Sequence, residues 1–201
     1  EIVGVFDADN VPEKDALLKA AAYFEDRSID AVQGRPYSIN ADENMLSKFI
    51  SYEEAVRYEA YLRGKDVLNL FVPLTGSCYF VRRSVLDEIS GWDDKSLSED
   101  MELSARLVEV GRKIRYAPDV HSWQENPTNL NQLFKQRSRW FRGCMEVSLR
   151  YGKLLKKLDR RCIDAEITLF GPLMFVPMLL SYFLGINAFL GSIGPDVFST
   201  F

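Results

Sequence analysis

The C-terminal part of the chain contains a long apolar run that limits what the chain can fold into. Residues 167–195 carry no Asp, Glu, Lys or Arg and consist mostly of Leu, Phe, Ile, Met and Val. Because a helix of about 20 such residues crosses a bilayer, the run predicts a transmembrane or membrane-embedded segment over 166–195. A loop or truncated end follows at 196–201. Pro172 and Pro177 are tolerated in membrane helices and allow a kink; the alternative is a buried core helix.

A basic block precedes the apolar run. From Lys135 to Arg161 there are ten Lys or Arg, against Glu146 and Asp159 as the two acids. Positive charge next to a membrane helix marks the cytosolic side, so we expect an integral membrane protein whose main domain lies on the cytosolic face. Residues 152–165 are predicted to form a basic interfacial segment that contacts membrane lipid. The aromatic residues of the block are not interleaved with exposed basic residues in a recognised nucleic-acid-binding pattern, and the adjacent apolar run fits lipid better, which argues against nucleic acid as a partner.

The composition fits one domain with a true core. The chain has 201 residues, of which 47% are hydrophobic and 27% are charged. Cys78, Cys144 and Cys162 are far apart and have no CxxC spacing, as expected of free thiols in a reducing compartment. The lone His121 rules out a His-rich metal cluster. Since the chain opens on Glu1 and enters a strand-like run at once, we expect a further segment to precede it.

Strand patterns and helix patterns alternate through residues 1–151. The strand-like segments are "EIVGVFDA", "DAVQGRP", "SCYFVRR" and "KIRYAP", and the helical segments are Pro12–Asp26, Asn44–Arg63, Ser98–Val110 and Asn129–Tyr151. This alternation predicts an α/β domain with a mainly parallel sheet and functional residues at the strand ends. The apolar stripes of the first two helices are expected to face the core; they include Leu17, Leu18, Phe24, Phe49, Tyr52, Val56 and Leu62.

The first predicted strand ends in two acids, within the sequence "DAD". Residues two apart in a strand point the same way, so Asp7 and Asp9 are expected to face one side. Two close carboxylates repel one another and favour a cation, and together with pyrophosphate oxygens they form the ligand set of Mg²⁺ or Mn²⁺. An ordinary Asp turn before a helix is the alternative interpretation.

A second acidic motif opens a helix at "SED". Ser98 is a candidate N-cap, and Ser96 with Glu99 forms a capping-box pattern. Helix capping alone would explain these acids. The functional interpretation makes Asp100 a general base that the helix dipole keeps ionised.

A third motif, "QRSRW", lies in the long predicted helix. Gln136, Arg139 and Trp140 share one face at i, i+3 and i+4. An indole stacks on the apolar face of a sugar, while the amide and the guanidinium bind hydroxyl or diphosphate oxygens. A basic amphipathic helix at a membrane surface is the alternative, and it would account for Arg137 and Arg142.

The ordered set "DAD", "TGSCYFVRRSVLDEISGWDD", "SED" and "QRSRW" resembles the family-2 glycosyltransferases. The resemblance is closest to the membrane-bound processive branch that includes cellulose, chitin and hyaluronan synthases, and it extends from Val5 to the membrane segment. It implies a GT-A-like nucleotide-diphospho-sugar transferase domain, of which residues 1–151 are the C-terminal part. The nucleotide-binding half would precede Glu1, so we expect this chain by itself not to bind a nucleotide sugar tightly.

The resemblance also implies roles for individual residues. Asp7 and Asp9 would hold Mg²⁺ or Mn²⁺ and contact the donor diphosphate, and Asp100 would be the catalytic base of a TED-like motif, with Ser98 where Thr is usual. Gln33 and Arg139 would contact the donor or its diphosphate. The implied acceptor-binding residues are Gly76, Ser77, Cys78, Glu99, Gln136, Arg139 and Trp140.

Two parts of the pattern are less regular. Leu74 and Thr75 depart from the usual start of the family's FxGSC-type loop. Some relatives place a His near the metal after the last strand, and His121 is in about that position; a structural or surface role is the alternative for a lone His.

These roles predict an inverting glycosyltransferase that moves a sugar from a nucleotide-diphospho-sugar donor to a growing polysaccharide. One carboxylate base is sufficient for a single displacement, which inverts the anomeric carbon. The alternatives are a single-transfer enzyme with a lipid or protein acceptor and an inactive membrane scaffold. A scaffold has no need for clustered acids.

Overall fold

The structure, a computed structural model, describes residues 1–151 and 159–192. Its strands are β1 (Ile2–Val5), β2 (Val11–Pro12), β3 (Ala31–Ser38), β4 (Tyr79–Arg82) and β5 (Ile114–Gln124). Its helices are α1 (Ala16–Tyr23), α2 (Met45–Ala55), α3 (Arg63–Val67), α4 (Arg83–Glu88), α5 (Glu99–Glu109), α6 (Leu130–Tyr151), α7 (Arg160–Phe170) and α8 (Phe175–Ser192). A π-helix (Val56–Leu62) joins α2 to α3, and a 3₁₀ turn (Gly171–Met174) joins α7 to α8.

The strands form one mixed sheet in the order β1-β4-β3-β5-β2. Among the described strands, β3 and β5 pair in parallel, whereas β4 is antiparallel to β1 and β3, and β2 is antiparallel to β5. The α/β class is confirmed, but the predicted mainly parallel sheet is wrong. The chain reverses at Gly76 and Cys78, which have φ values of 86° and 54°, and enters β4 beside the end of β1, where Tyr79 pairs with Val5. Alternation of helices and strands does not report such a reversal.

Helices cover both faces of the sheet. Neighbouring residues of β3 belong to different hydrophobic clusters, Ala31 to the larger and Val32 to the smaller, because successive side chains of a strand point to opposite faces. The smaller cluster is completed by α1, and the larger by α5, α7 and the helical segment after β3.

The predicted core faces of the first two helices are confirmed only in part, since Phe24 and Leu62 are buried but most of the other stripe residues are exposed. On α1, Leu17 and Leu18 are exposed while Ala16 and Ala20 pack on the sheet, since close contact between helix and strand favours the small side chains. Pro12 does not open this helix and instead pairs with Ser122 in the sheet. In α2 and the π-helix that continues it, the predicted core residues Phe49, Tyr52 and Val56 are exposed, whereas the predicted Leu62 is buried together with Ile50 and Tyr58.

The C-terminal helices differ in their packing. On α7, Cys162, Ala165 and Leu169 belong to the larger core cluster, and the buried Lys65 bonds Asp164 at 2.6 Å and Thr168 at 2.7 Å. The helical stretch Arg160–Gly191 is long and apolar enough to cross a membrane by length and composition, and its most apolar window is fully exposed. Of the predicted interfacial segment 152–165, residues 152–158 lie outside the described part of the chain.

Candidate active site

The "DAD" acids lie in a turn rather than in a strand. β1 ends at Val5, and the N–H of Asn10 donates to the carbonyl of Asp7 at 2.9 Å, which closes the turn. The predicted alternation along a strand therefore does not orient these acids. Instead, the N–H of Asp7 donates to Ser77 Oγ at 3.0 Å, so that the turn is held against the loop before β4.

The loop Thr75–Cys78 is held from beneath by Gln33. The Gln33 side chain is fully buried; its Nε2 donates to the carbonyl of Ser77 at 3.0 Å, and its Oε1 accepts from the N–H of Thr75 at 2.8 Å. From the other side, the hydroxyls of Tyr58 and Thr75 are 2.9 Å apart. Gln33 thus fixes the backbone that presents Gly76 to the cavity.

Asp100 stands at the first turn of α5 beside this loop. Its Oδ1 accepts from Ser98 Oγ at 2.8 Å and from the N–H of Met101 at 2.7 Å. A Cβ added at Gly76 would lie 3.5 Å from the Asp100 Oδ2, so the loop and the carboxylate are in close contact. The predicted capping of α5 by Ser98 is not observed, because the Ser98 hydroxyl is used by Asp100 instead of a backbone N–H.

Burial raises the pKa of Asp100, although the hydrogen bonds from Ser98 and Met101 act in the opposite direction. Desolvation therefore outweighs the donors around this carboxyl, and it opposes the effect expected from the helix start; that Asp100 is ionised stays a prediction. A carboxylate with a raised pKa is a stronger base, which suits proton abstraction from a hydroxyl.

The QRSRW motif lies on α6 and faces the same cavity. Gln136, Arg139 and Trp140 all line the cavity, as their shared helix face predicts. Gly143 allows α6 to approach closely, since a Cβ at this position would lie 2.5 Å from Ser98 Cβ. Arg137, which the sequence left as a surface residue, lines the cavity and pairs with Glu53 of α2 at 2.7 Å.

These elements enclose a cavity of about 460 Å³. Of the predicted site residues, those that line it are Asp7, Asp9, Gly76, Glu99, Asp100, Gln136, Arg139 and Trp140. Four others do not: Gln33, Ser77, Cys78 and His121. The Cys78 side chain is fully buried beneath the loop, and a Cβ on the adjacent Gly34 would lie 2.6 Å from its sulfur.

His121 has partners for both ring nitrogens. Its Nδ1 lies 3.2 Å from Glu13 Oε2, its Nε2 lies 2.7 Å from the carbonyl of Pro118, and its ring packs edge-on against Tyr37. These contacts agree with the structural alternative, and a role as metal ligand stays a prediction.

One wall of the cavity was missed by the sequence analysis. It comes from α2 and the π-helix and carries Glu53, Glu54, Arg57 and Tyr58. Glu54 and Arg57 are one helical turn apart, and this spacing could have indicated a functional face. It was not used, because the apolar face of α2 was expected to pack on the core and the charged face to be solvent-exposed. Gln124 and Glu125, at the end of β5, also line the cavity.

Asp7 and Asp9 are the residues that fit a divalent cation. Burial raises the pKa of Asp7, and the negative charges of Asp9, Glu99 and Asp100 raise it further. A dication would relieve this repulsion. Mg²⁺ is commonly bound by one or two carboxylates completed by substrate phosphates, and the described residues contain no group of three or more His, Cys, Asp or Glu that would form a protein cage.

The mixed α/β sheet and the acidic cavity beside the ends of its strands agree with the GT-A-like glycosyltransferase domain that the resemblance implies. The chain belongs to Glycosyl transferase family group 2, whose family model matches residues 2–197.

Curated relatives support this assignment. A "Probable glycosyltransferase YdaM" from Bacillus subtilis (strain 168) is 32% identical over 171 residues, which are 85% of this chain and 41% of the relative. "Beta-monoglucosyldiacylglycerol synthase" from Synechocystis sp. is 31% identical over 169 residues, 79% of this chain and 35% of the relative. The protein of the same name from Trichormus variabilis is 32% identical over 159 residues, 78% of this chain and 33% of the relative. The chain thus spans less than half the length of these relatives.

A solved structure has the same fold. The "Mannosyltransferase PcManGT from Pyrobaculum calidifontis in complex with GDP-Man and Mn2+" matches 100% of this chain and 58% of its own, with a TM-score of 0.54. At 16% sequence identity this likeness concerns the fold alone.

Proposed function

We propose that the protein transfers a sugar, with inversion, from a nucleotide-diphospho-sugar donor to an acceptor hydroxyl. The observation that carries the proposal is the convergence of Asp7, Asp9, Asp100 and Trp140, from three separate motifs, on one cavity. Family membership and the GT-A-like fold support the same class of reaction.

Each wall of the cavity has a task in this reaction. Asp7 and Asp9 are proposed to bind Mg²⁺ or Mn²⁺, which when bound neutralises charge on the diphosphate leaving group. Asp100 accepts the proton of the attacking acceptor hydroxyl, while Ser98 and the Met101 N–H orient its carboxylate. Trp140 stacks on a sugar ring, and Gln136 and Arg139 bind hydroxyl or diphosphate oxygens.

Two acceptors are candidates. A growing polysaccharide, extended processively, is favoured by the QRSRW motif. A lipid acceptor with single transfer is favoured by two relatives that are named beta-monoglucosyldiacylglycerol synthase. The exposed apolar α8 fits either acceptor, since both would be handled by an integral membrane enzyme with its catalytic domain on the cytosolic face.

The test uses the full-length protein in membranes, because this chain by itself is not expected to bind a nucleotide sugar tightly, with a panel of UDP- and GDP-sugars and Mn²⁺ or Mg²⁺. Release of nucleotide diphosphate is measured, and the product is sized. We expect one donor to be turned over and Asp100→Asn to lower transfer by about 10²–10⁴-fold without weakening donor binding. A long product supports polymer synthesis, and a product longer by one sugar supports single transfer.

The matched control is Glu25→Gln, the same carboxylate-to-amide change at an exposed residue outside the cavity. Parallel loss of donor binding and transfer in Asp100→Asn would contradict the role of Asp100 as base. Absence of turnover with every donor, from a folded protein, would contradict the proposed function and favour the scaffold alternative.

A further inference from the structure

The wall formed by α2 and the π-helix carries two charged residues that have no role in the proposed transfer reaction. Glu54 and Arg57 lie one turn apart and both line the cavity. π-helical turns are uncommon and frequently occur at functional sites, and here the π-helix Val56–Leu62 directs Arg57 to the cavity and Leu62 to the core.

The carboxylate of Glu54 is held in a fixed orientation. Its Oε1 accepts from Gln124 Nε2 at 3.3 Å, and its Oε2 accepts from Asn126 Nδ2 at 3.0 Å. Asn126 is itself fixed by Asn40, through an N–H donated to Oδ1 at 2.8 Å and a carbonyl that accepts at 2.9 Å. Burial raises the pKa of Glu54. An acid that is desolvated and aligned in this way is prepared to accept a hydrogen bond from a ligand.

Arg57 differs from its neighbour Arg137. Arg137 is paired with Glu53, whereas Arg57 makes no ion pair with any residue in 1–151 or 159–192. The guanidinium carbon of Arg57 lies 6.0 Å from the centroid of the Trp140 ring. Its charge acts on both Glu54 and Asp100, since it lowers the pKa of each against the effect of burial. Arg57 therefore lies beside the indole and lines the same cavity as the oriented acid and the predicted base.

The charge of the cavity limits what can bind there. Seven carboxylates line it, against three guanidinium groups, which gives a formal charge of −4 when all ten are ionised. A nucleotide-diphospho-sugar with one divalent cation brings little net charge, so the cavity stays acidic after the donor binds. An acceptor group with its own negative charge is then repelled at short range in a partly desolvated site.

We propose that Glu54 and Arg57, facing Trp140, form an acceptor subsite for an uncharged polyhydroxyl group, a sugar ring or a glycerol unit, and select against anionic acceptors. Glu54 accepts from acceptor hydroxyls, Arg57 donates to their oxygens, and Trp140 covers the apolar side of the group. The inference rests on the proposed function, because it names the acceptor class of the same site.

The test compares matched pairs of probes on the protein in nanodiscs, with affinities from saturation-transfer NMR. One pair is methyl β-glucoside and methyl β-glucuronide, which differ in a hydroxymethyl or carboxylate at C6. The other is glycerol and glycerol 3-phosphate. We expect the neutral member of at least one pair to bind ten times more tightly or better than its anionic partner, and the responding pair identifies a sugar or a glycerol acceptor. Equal binding within both pairs, or no binding of either neutral probe at millimolar concentration, would overturn the proposal.

Variants assign the effect to the two residues. Glu54→Gln is expected to lower the affinity for the neutral probe about tenfold, since a charged hydrogen-bond acceptor is lost. The same change removes a negative charge, so it should also reduce the difference in affinity between the neutral and anionic probes. Arg57→Met should weaken the neutral probe, and Arg57→Lys should restore part of the affinity. Glu25→Gln is the control. An effect of Glu54→Gln no larger than that of Glu25→Gln would overturn the assignment of Glu54.

Donor turnover, measured separately with nucleotide sugars and Mn²⁺, separates a failure of the acceptor subsite from a failure of the proposed transfer reaction. Discrimination between the probes without any turnover of donor would leave the subsite standing and contradict the proposed transfer. Turnover of donor without discrimination between the neutral and anionic probes would support the proposed transfer and contradict the subsite.

Discussion

Gly143 sets how closely the helix that carries Trp140 approaches the turn that carries Asp100. A Cβ at this position would lie 2.5 Å from Ser98 Cβ, 3.2 Å from the Ser98 nitrogen and 3.3 Å from the Leu97 carbonyl carbon. The first contact is about 1 Å shorter than an ordinary van der Waals separation of carbon atoms. Two of the three atoms belong to the backbone, so Gly143→Ala has to move α6 away from the start of α5.

The change in unfolding free energy caused by Gly143→Ala has two opposing contributions. Overpacking of a close contact costs about 1–3 kcal/mol, while replacing a helical glycine with alanine returns about 1 kcal/mol. We expect a net loss of stability of about 0–2 kcal/mol, but a larger loss of activity. A displacement of about 1 Å between groups that must act together can lower a rate by about 10²-fold, and Ser98, which is pushed directly, donates to the predicted base.

The matched control is Gly64→Ala. Gly64 also lies in a helix, but a Cβ added there meets nothing within 4 Å. This variant should gain up to about 1 kcal/mol in unfolding free energy and keep full activity. Unfolding by denaturant and transfer under single-turnover conditions are measured for both. If Gly143→Ala resembles Gly64→Ala in stability and rate, close approach of α6 does not position the site.

Three further predictions concern the supports of the cavity. Gln33→Leu removes the buried bonds to Thr75 and Ser77 and should lower the unfolding free energy by about 3 kcal/mol; a raised KM for donor at unchanged stability would instead indicate direct donor contact. Lys65→Met leaves Asp164 without its buried partner and should cost about 3–5 kcal/mol, much of which Lys65→Met combined with Asp164→Leu recovers; no recovery in denaturant unfolding would contradict this account. Because burial raises the pKa of Asp100 in the folded protein, this group contributes stability that is complete below about pH 4 and is lost as the pH rises through the raised folded pKa. Asp100→Asn should therefore be more stable than the wild type near pH 7, and the difference should vanish below about pH 4; a difference independent of pH would contradict the raised pKa.

The sequence predicts the order of helices and strands because hydrophobic periodicity is a local property. The direction of β4 is not local. It depends on Gly76 and Cys78 taking left-handed conformations, and Cys78 is not a residue type that signals such a turn. The buried faces of α1 and α2 were misassigned for a related reason. Leu17 and Phe49 lie at helical spacing with other apolar residues, but which face is covered depends on the neighbouring elements, and here alanines fit the sheet more closely.

The candidate site was likewise only partly predictable from the sequence. The three motifs could be predicted to act together, and their residues do share a cavity, because each motif has a side-chain chemistry that suits one reaction. Gln33 and Ser77 were also predicted to be site residues through the family resemblance, but they lie beneath the surface, where they hold the loop and the Asp7 turn in place. A motif records that a residue is needed near a site without distinguishing contact with a ligand from support of the residue that makes the contact. Glu54 and Arg57 are the opposite case, since they line the cavity without any motif. Residues that select an acceptor vary with the acceptor, so this wall is where charge and geometry say more about the function than sequence pattern does.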